Sequence, residues 1–162
     1  GHSSGHIVLY EPSQKILISG DHILPTITPN ISLHPQSRGN PLGDYLDSLG
    51  KVNQLDVNLV LPGHETPFTT LHQRVEELIH HHQQRNSEIL EIINGKPKTT
   101  SQICTEMTWM TDISAKGAGW SNLSLLDKRM AVFETLAHLE LLRSDGKLDR
   151  FFKGGIVYYQ YT

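Results

Sequence analysis

Three short runs of the sequence each combine glycine with a side chain that can bind a metal ion. They are Gly1–His6, Ser19–His22 and Leu61–Glu65. Each run follows or adjoins an apolar segment that is typical of a β-strand. Loops that border strands lie at the edges of a sheet, so the runs can present histidine and aspartate side chains together. The pattern indicates a metal site at one edge of a sheet.

The side chains in these runs suit zinc. Imidazole nitrogen and carboxylate oxygen are zinc ligands, and a catalytic zinc takes about three protein ligands and keeps an open position for water. A carboxylate that bridges two ions holds them roughly 3.5 to 4 Å apart, so that one hydroxide between them can attack an ester, a thioester or a phosphodiester. A glycine before each ligand lets the backbone adopt positive φ and approach an ion closely. The candidate ligands are His2, Asp21 and His64.

In this order and with these neighbours, the runs resemble the second half of a metallo-beta-lactamase-fold hydrolase, whose motifs read roughly PGHTPGH, GD and GH. The resemblance covers nearly the whole chain. It implies an α/β fold that is half of an αββα metallo-beta-lactamase sandwich. It also implies a site for two zinc ions, in which His2 is the third ligand of the first ion, Asp21 bridges both ions and His64 is the last ligand of the second.

The same family carries an earlier His-x-His-x-Asp-His motif, and no residue of this chain matches it. The resemblance therefore implies that the chain is a fragment of a zinc hydrolase, with an incomplete site in which neither ion has three protein ligands. We expect the fragment to bind zinc weakly and to be inactive. The resemblance leaves the substrate open among small-molecule esters, thioesters and lactones and RNA phosphodiesters.

Simpler roles remain open for each candidate ligand. Gly1–His6 is also typical of the remnant of an affinity tag, although the strand pattern continues from it without a break. Asp21 follows a strand and can cap the backbone of a turn. His64 can equally be a turn histidine. A metal site is favoured over the alternative that all three residues have these simpler roles by coincidence.

The other histidines favour structural roles. His6 opens a strand, and we interpret it as a hydrogen-bonded structural residue. His22 and His34 border a loop over residues 24–40 that is rich in proline and asparagine, where solvated side chains are favoured over substrate contacts. Consecutive residues of a helix point in different directions, so His80–His82 cannot all face one ion.

Composition narrows the class of protein. A chain of 162 residues forms one domain or two small ones, and its formal net charge of −3 gives no strong bias toward polyanions. It has no apolar run of about 18 residues, the length that indicates a membrane span. With a single cysteine, the sequence predicts a cytoplasmic protein without disulfides and without a membrane partner. We interpret Cys104 as a small buried apolar residue.

Hydrophobic periodicity and turn residues predict five strands and four helices. The strands are His6–Tyr10, Lys15–Ser19, Val57–Leu61, Leu148–Lys153 and Ile156–Tyr161. The first helix begins at Asn40–Pro41, and the second runs from Leu71 to about Ile93. The third covers Thr99–Met110, and the fourth covers Ser124–Arg143. The first two strands form a hairpin, and the last two flank Gly154–Gly155, a turn that requires positive φ at both residues.

The order of three helices and a hairpin at the end of the chain resembles a winged helix, which a subgroup of the family carries at this position. The sequence therefore predicts two domains: 1–94, the metallo-beta-lactamase part with a linking helix, and 95–162, a small winged-helix-like α+β domain. The residues expected to form the core of the second domain share helical spacing. They are Ile89, Ile93, Ile103, Met107, Leu126, Met130, Phe133, Leu136 and Leu139.

A winged helix raises an alternative function, a non-catalytic module that binds nucleic acid or a protein partner. Residues 95–162 hold nine lysine and arginine against seven aspartate and glutamate. This surplus is small beside the basic surfaces that bind phosphate, so a packed hairpin with alternate aromatics inside is favoured. We also expect the fragment to self-associate, because half of a sandwich leaves an apolar sheet face without a partner.

Overall fold

The computed structural model describes residues 3–34, 39–109 and 119–162. These residues form two small sheets and four α-helices, in agreement with the predicted mixed α/β class. Packing divides the chain into two compact units. The first consists of Gly1–Ile31 and Pro41–His82, and the second of Ser32–Asn40 and Gln83–Thr162. The division falls between His82 and Gln83, whereas the domain boundary near Gly95 stays a prediction.

The elements follow the predicted order. The strands are β1 (Leu9–Glu11), β2 (Ile16–Gly20), β3 (Leu59–Pro62), β4 (Leu148–Lys153) and β5 (Ile156–Tyr161). The helices are α1 (Pro41–Val52), α2 (Leu71–Ile93), α3 (Thr100–Glu106) and α4 (Leu125–Ser144), with a 3₁₀ turn at Trp120–Asn122. The predicted bounds of α2, β4 and β5 agree with the structure.

Three predicted elements, β1, β3 and α3, are shorter than expected, and β3 begins at Leu59 rather than Val57. The first strand begins at Leu9 rather than His6, because its pairing with β2 starts only where Leu9 faces Ile18. The third helix ends at Glu106, since Met107 leaves the helical region with ψ 152°. The predicted end of this helix, Met110, lies outside the described residues.

The first sheet has the order β1-β2-β3. β1 and β2 form the predicted antiparallel hairpin, and the Glu11 carboxylate stabilises its turn by accepting from the amides of Ser13 and Gln14 at 3.2 and 2.8 Å. β2 and β3 are parallel. Parallel pairing brings the carboxyl ends of both strands to the same edge of the sheet, with Gly20 opposite Pro62.

Side chains alternate across β2, as the strand pleat requires. Leu17 and Ser19 are fully buried on one face. The residues that form the core of the first unit come from this face, from α1 and from the first half of α2. They include Leu17, Val60, Leu42, Tyr45, Leu49, Leu71, Val75 and Leu78. The apolar face of α1 is therefore buried.

The opposite face of the sheet exposes an aliphatic row. Leu9, Ile18 and Leu61 lie side by side across the three strands. Ile18 is 47% exposed, Leu9 58%, and Ile7 just before β1 76%. We call Ile7, Leu9, Ile18 and Leu61 the outer row. Contiguous apolar surface of this kind is uncommon on a soluble monomer and tends to be covered.

We expect the protein to self-associate through the outer row at micromolar concentration, because association removes these side chains from water. The substitution Ile18→Lys should shift the population toward monomer in light scattering. Leu125→Lys is the matched control, since Leu125 is an aliphatic residue of α4 that is 87% exposed. A wild-type protein that remains monomeric across this range would contradict the expectation.

The second unit combines the end of α2 with α3, α4 and the β4–β5 hairpin. Thr99 caps α3 through the Gln102 amide, and the Gln102 side chain accepts from the Thr99 amide in return, which forms a capping box. Lys98 pairs with Tyr159 of the hairpin. Gly154 and Gly155 have φ of 59° and 78°, as the predicted turn requires. The assignment of this unit as a winged helix stays a prediction.

The core of the second unit differs from the predicted core along α4. Ile89, Ile93, Ile103, Met107 and Leu139 are buried as predicted, in a cluster that also contains Cys104, Trp109, Leu142, Leu148 and Tyr159. Leu126 and Met130 were wrongly assigned to it, because they are 66% and 41% exposed, and the predicted core residues Phe133 and Leu136 are only partly buried. α4 is apolar on most of its circumference, so periodicity alone did not select the buried face. That face begins at Ala131 and continues through Thr135 and His138.

Leu139→Ala should lower the free energy of unfolding by about 2 to 5 kcal/mol, because it leaves a cavity at a fully buried site. Leu126→Ala removes the same atoms from an exposed site on the same helix and should change stability by no more than about 0.5 kcal/mol. Urea unfolding followed by circular dichroism measures both. Equal effects of the two substitutions would show that the buried face of α4 is wrongly assigned.

The interpretation of Cys104 is confirmed. Its side chain is fully buried, and its sulfur lies 3.3 Å from the Thr135 hydroxyl. Burial raises the pKa of this thiol. Within the parts of the chain that the structure describes, no helix is both long and apolar enough to cross a membrane.

Candidate metal centre

Asp21 and His64 meet at the edge of the sheet where β2 and β3 both end. Asp21 directly follows β2, and His64 lies two residues beyond β3. A hydrogen bond of 2.9 Å from the Gly63 amide to the Gly20 carbonyl joins the two loops. The His64 Nε2 is 3.4 Å from the Asp21 Oδ1. Two of the three candidate ligands are therefore adjacent, while His2 lies outside the described residues.

The glycines before these residues make the close approach possible. A Cβ on Gly63 would lie 2.5 Å from the Asp21 Oδ1, a separation that no side chain can occupy. Gly20 has φ of +51°, and a Cβ there would lie 2.7 Å from the His6 Nε2. Positive φ is thus needed at Gly20, whereas Gly63 is required for space.

His6 fixes the backbone of Asp21. Its Nε2 accepts a hydrogen bond from the Asp21 amide at 3.2 Å. This nitrogen is therefore engaged with the main chain, and the interpretation of His6 as a hydrogen-bonded structural residue agrees with the structure. The hydrogen bond ties the main chain just after β2, where Asp21 lies, to the His6 ring.

His22 is buried rather than solvated, which corrects the prediction. Its amide donates to the Ser19 carbonyl in a tight turn, and this turn directs the ring into the unit, where it is only 2% exposed. Burial lowers the pKa of His22 to about 4, so the ring is neutral at neutral pH. The Tyr45 hydroxyl donates to the His22 carbonyl at 3.1 Å, and burial raises the pKa of that phenol.

The remaining histidines lie apart from the pair. His34 is exposed, as predicted, and its ring packs edge-on against Phe133. His80 is exposed, His81 is intermediate and His82 is buried against the Tyr45 ring. The three consecutive histidines therefore face different surroundings, as their helical spacing predicted.

Sequence reasoning missed two charged residues beside the pair. Glu65 follows His64 and accepts hydrogen bonds from the Thr26 hydroxyl and from the Thr26 amide, the latter at 3.1 Å. Arg74 of α2 is only 8% exposed, and its Nε donates to the Leu24 carbonyl at 2.7 Å. The sequence did contain one signal, because Arg74 occupies a position on the apolar stripe of α2 between Leu71 and Leu78.

The adjacent donors fit a metal ion. Two atoms that bind one tetrahedral zinc at 2.0 to 2.2 Å lie about 3.3 to 3.6 Å apart. The separation of 3.4 Å between Asp21 and His64 falls in this range. Both side chains reach solvent, with 35% of Asp21 and 67% of His64 exposed. Residues 3–34, 39–109 and 119–162 contain no cluster of three possible ligands, so these ranges supply two donors.

Comparisons with known proteins show similarity to one family of proteins. A model of the metallo-beta-lactamase superfamily matches residues 1–64, the segment that ends at His64. A probable metallo-hydrolase of Bacillus subtilis, YqjP, is 26% identical over 164 residues, which cover 99% of this chain and 48% of that protein. A beta-lactamase-like protein 2 homolog of Caenorhabditis elegans is 27% identical, over 80% of this chain and 42% of that protein.

Two solved structures are also similar to this chain in fold and in sequence. A beta-lactamase domain protein from Burkholderia ambifaria has a TM-score of 0.86 and 32% identity, and the match covers all of this chain and 46% of that one. A metallo-beta-lactamase family protein from Thermus thermophilus has a TM-score of 0.79 and 33% identity, over all of this chain and 47% of that one.

The fold and the three motifs are similar to those of proteins in the metallo-beta-lactamase superfamily. The chain is related to the metallo-beta-lactamase-fold family, as its three glycine-containing runs predicted. It spans about half the length of the relatives that it matches. Because proteins of this family generally bind metal ions, the relationship supports a metal site at the Asp21 and His64 edge.

Gly63→Ala should lower affinity for zinc by tenfold or more, because the added Cβ displaces the Asp21 carboxylate from its position beside His64. Gly50→Ala is the matched control, since a Cβ at Gly50 in α1 meets no atom within 4 Å. Isothermal titration with zinc compares the variants. Equal affinities for Gly63→Ala and wild type would mean that the carboxylate position does not matter to the ion.

Proposed function

We propose that this chain supplies part of the active site of a metal-dependent hydrolase, with Asp21, His64 and His2 as metal ligands. The observation that carries the proposal is the 3.4 Å separation of Asp21 and His64 at the shared edge of two parallel strands. The family relationship supports it, as does the name of the Bacillus relative. Asp21, His64 and His2 would hold zinc in the proposed enzyme, and a site for two ions would require ligands beyond these three.

A bound zinc ion lowers the pKa of a coordinated water to about 7, which supplies a nucleophile at neutral pH. The chain's own residues hold the ligands in position and leave them accessible to solvent. The Asp21 carboxylate contributes negative charge, and the His6 ring holds its backbone from beneath. His64 is two-thirds exposed, so a substrate can reach this ligand from solvent. His22 contributes no charge at neutral pH, since burial keeps its pKa near 4.

The proposed substrates contain a carbonyl or phosphoryl centre that a metal-activated water can attack: small esters, thioesters, lactones or phosphodiesters. We propose that the 162-residue chain alone binds zinc weakly and does not turn these substrates over, because Asp21, His64 and His2 together leave neither of two ions with three protein ligands. Activity would then require additional ligands from outside this chain.

A second candidate is a nucleic-acid function of the hairpin. Phe151 and Tyr158 stack at 5.6 Å, and Phe152 is 71% exposed between the exposed Arg150 and Lys153. Aromatic rings beside cationic side chains suit single-stranded nucleic acid. Fluorescence anisotropy with a labelled RNA tests this candidate, and Phe152→Ala should weaken binding if the hairpin is the contact surface.

The main proposal predicts that Asp21→Asn and His64→Gln each lower zinc affinity by about tenfold or more, because each removes a ligand. His72→Gln is the control, since His72 is an exposed histidine that pairs with Asn53, 2.9 Å away. Isothermal titration measures the affinities, and thioester, lactone and phosphodiester assays measure turnover. Wild-type affinity in both ligand variants would contradict the metal site, and turnover by the wild-type chain would contradict its inactivity.

A further inference from the structure

The segment that follows Asp21 is held from two sides by opposite charges. Glu65 accepts from the amides of Thr26 and Ile27 at 3.1 and 3.4 Å, and from the Thr26 hydroxyl. Arg74 donates to the carbonyls of the same two residues at 3.1 and 3.0 Å. The carboxylate therefore binds the donors and the guanidinium binds the acceptors of one short stretch of backbone.

All three nitrogens of the Arg74 guanidinium donate hydrogen bonds. Its Nε donates to the Leu24 carbonyl at 2.7 Å, and its remaining terminal nitrogen donates to Glu77 at 3.1 Å. The planar guanidinium presents five donors in a fixed arrangement, so it can bind several carbonyls at once, which a lysine cannot reproduce. A cation that is 8% exposed is stable only when it is well hydrogen-bonded, and here three carbonyls and a carboxylate serve this purpose.

Glu65 adopts an unusual backbone conformation to reach the segment. Its φ is 69°, in the left-handed region that residues with a Cβ seldom occupy. Such strain persists only where the surrounding contacts enforce it, and it often accompanies functional sites. Because Glu65 directly follows His64, the conformation that directs its carboxylate to Thr26 also determines where the His64 side chain begins.

These contacts close a ring around the candidate ligands. The Gly63 amide joins the Gly20 carbonyl on one side of the pair. Glu65 joins Thr26 on the other side. The loops that carry Asp21 and His64 are thus tied to each other before and after the point where the two side chains meet.

We propose that Glu65 and Arg74 are positioning residues that set the separation of Asp21 and His64 for metal binding. The inference rests on the proposed metal site. Neither residue is a ligand in this proposal. Glu65 ties the His64 loop to the segment that follows Asp21, and Arg74 anchors that segment to α2. Loss of either contact lets the two ligand loops move apart, and the ion then loses the preformed pair.

The test compares Glu65→Gln and Arg74→Met with controls that remove similar contacts elsewhere. Glu11→Gln alters a carboxylate that stabilises its own turn in the first unit. Arg85→Met removes the arginine of the second unit that donates to the Thr108 carbonyl and pairs with Glu88. Arg74→Lys retains the charge without the planar group. Zinc titration, the visible absorption spectrum of the cobalt(II) form and amide hydrogen exchange are measured for each variant.

Glu65→Gln, Arg74→Met and Arg74→Lys should weaken zinc binding by roughly tenfold to a hundredfold, the range typical of residues that orient ligands. They should also change the cobalt spectrum and speed exchange at the Thr26 and Ile27 amides. Both controls should retain wild-type affinity and spectrum, although Arg85→Met lowers stability. Glu65 is exposed, so Glu65→Gln retains the fold and remains decisive if Arg74→Met does not fold.

The positioning role and the proposed metal site can be contradicted separately. If exchange at Thr26 becomes faster while zinc affinity and the cobalt spectrum stay at wild-type values, the contacts are structural and the positioning role is wrong. If wild-type protein binds no zinc, or binds it equally well after Asp21→Asn, the proposed metal site itself is wrong, and the positioning role with it. Only weaker binding together with an altered spectrum supports the inference.

Discussion

Parallel pairing of β2 with β3 is the constraint on which the candidate site depends. Two antiparallel neighbours would have carried Asp21 and His64 to opposite edges of the sheet, whereas parallel neighbours end together. Parallel strands require a long connection, and the residues between β2 and β3 include the helix α1. Two residues that are far apart in the sequence therefore meet at 3.4 Å because of backbone pairing rather than attraction between their side chains.

The loops then restrict the positions of the Asp21 and His64 side chains, which the sheet brings together. Glycine supplies space at position 63 and a left-handed turn at position 20, while His6 holds the amide of Asp21. Glu65 and Arg74 act on the segment beyond. None of these residues needs to touch an ion, yet each restricts where a donor atom can lie. This is the usual division of work in metal sites, where surrounding hydrogen bonds orient the ligands.

Much of this arrangement could be predicted from the sequence, for identifiable reasons. The bounds of α2 and of the β4–β5 hairpin follow from strong periodicity and from two adjacent glycines, and the structure agrees with both. The meeting of Asp21 and His64 followed from glycine-containing motifs. The sequence could not show the burial of His22, because a turn at Ser19 decides which way its ring points. The buried face of α4 was also hidden, since its apolar residues surround the helix.

The contacts of Glu65 and Arg74 could not be predicted from the sequence, for a different reason. Both depend on peptide groups of Thr26 and Ile27, and no property of those side chains indicates which way their backbone points. Tertiary hydrogen bonds to main-chain atoms leave little trace in a single sequence. A buried arginine among leucines was the one available signal, because an unpaired charge there would be costly.

The burial of Cys104 bears on how the candidate centre would respond to its chemical surroundings. It is the single cysteine of the chain, and its sulfur is enclosed beside Thr135 with the pKa of the thiol raised. Thiolates are both the strongest competitors for zinc and the groups that peroxides and alkylating reagents attack first. With that thiol withdrawn from solvent, the candidate donors that the chain offers to an ion are the carboxylate oxygen of Asp21 and the imidazole nitrogen of His64, which react with such reagents more slowly than a thiolate does. A centre of this composition should tolerate oxidising conditions that would destroy a zinc site built from cysteines.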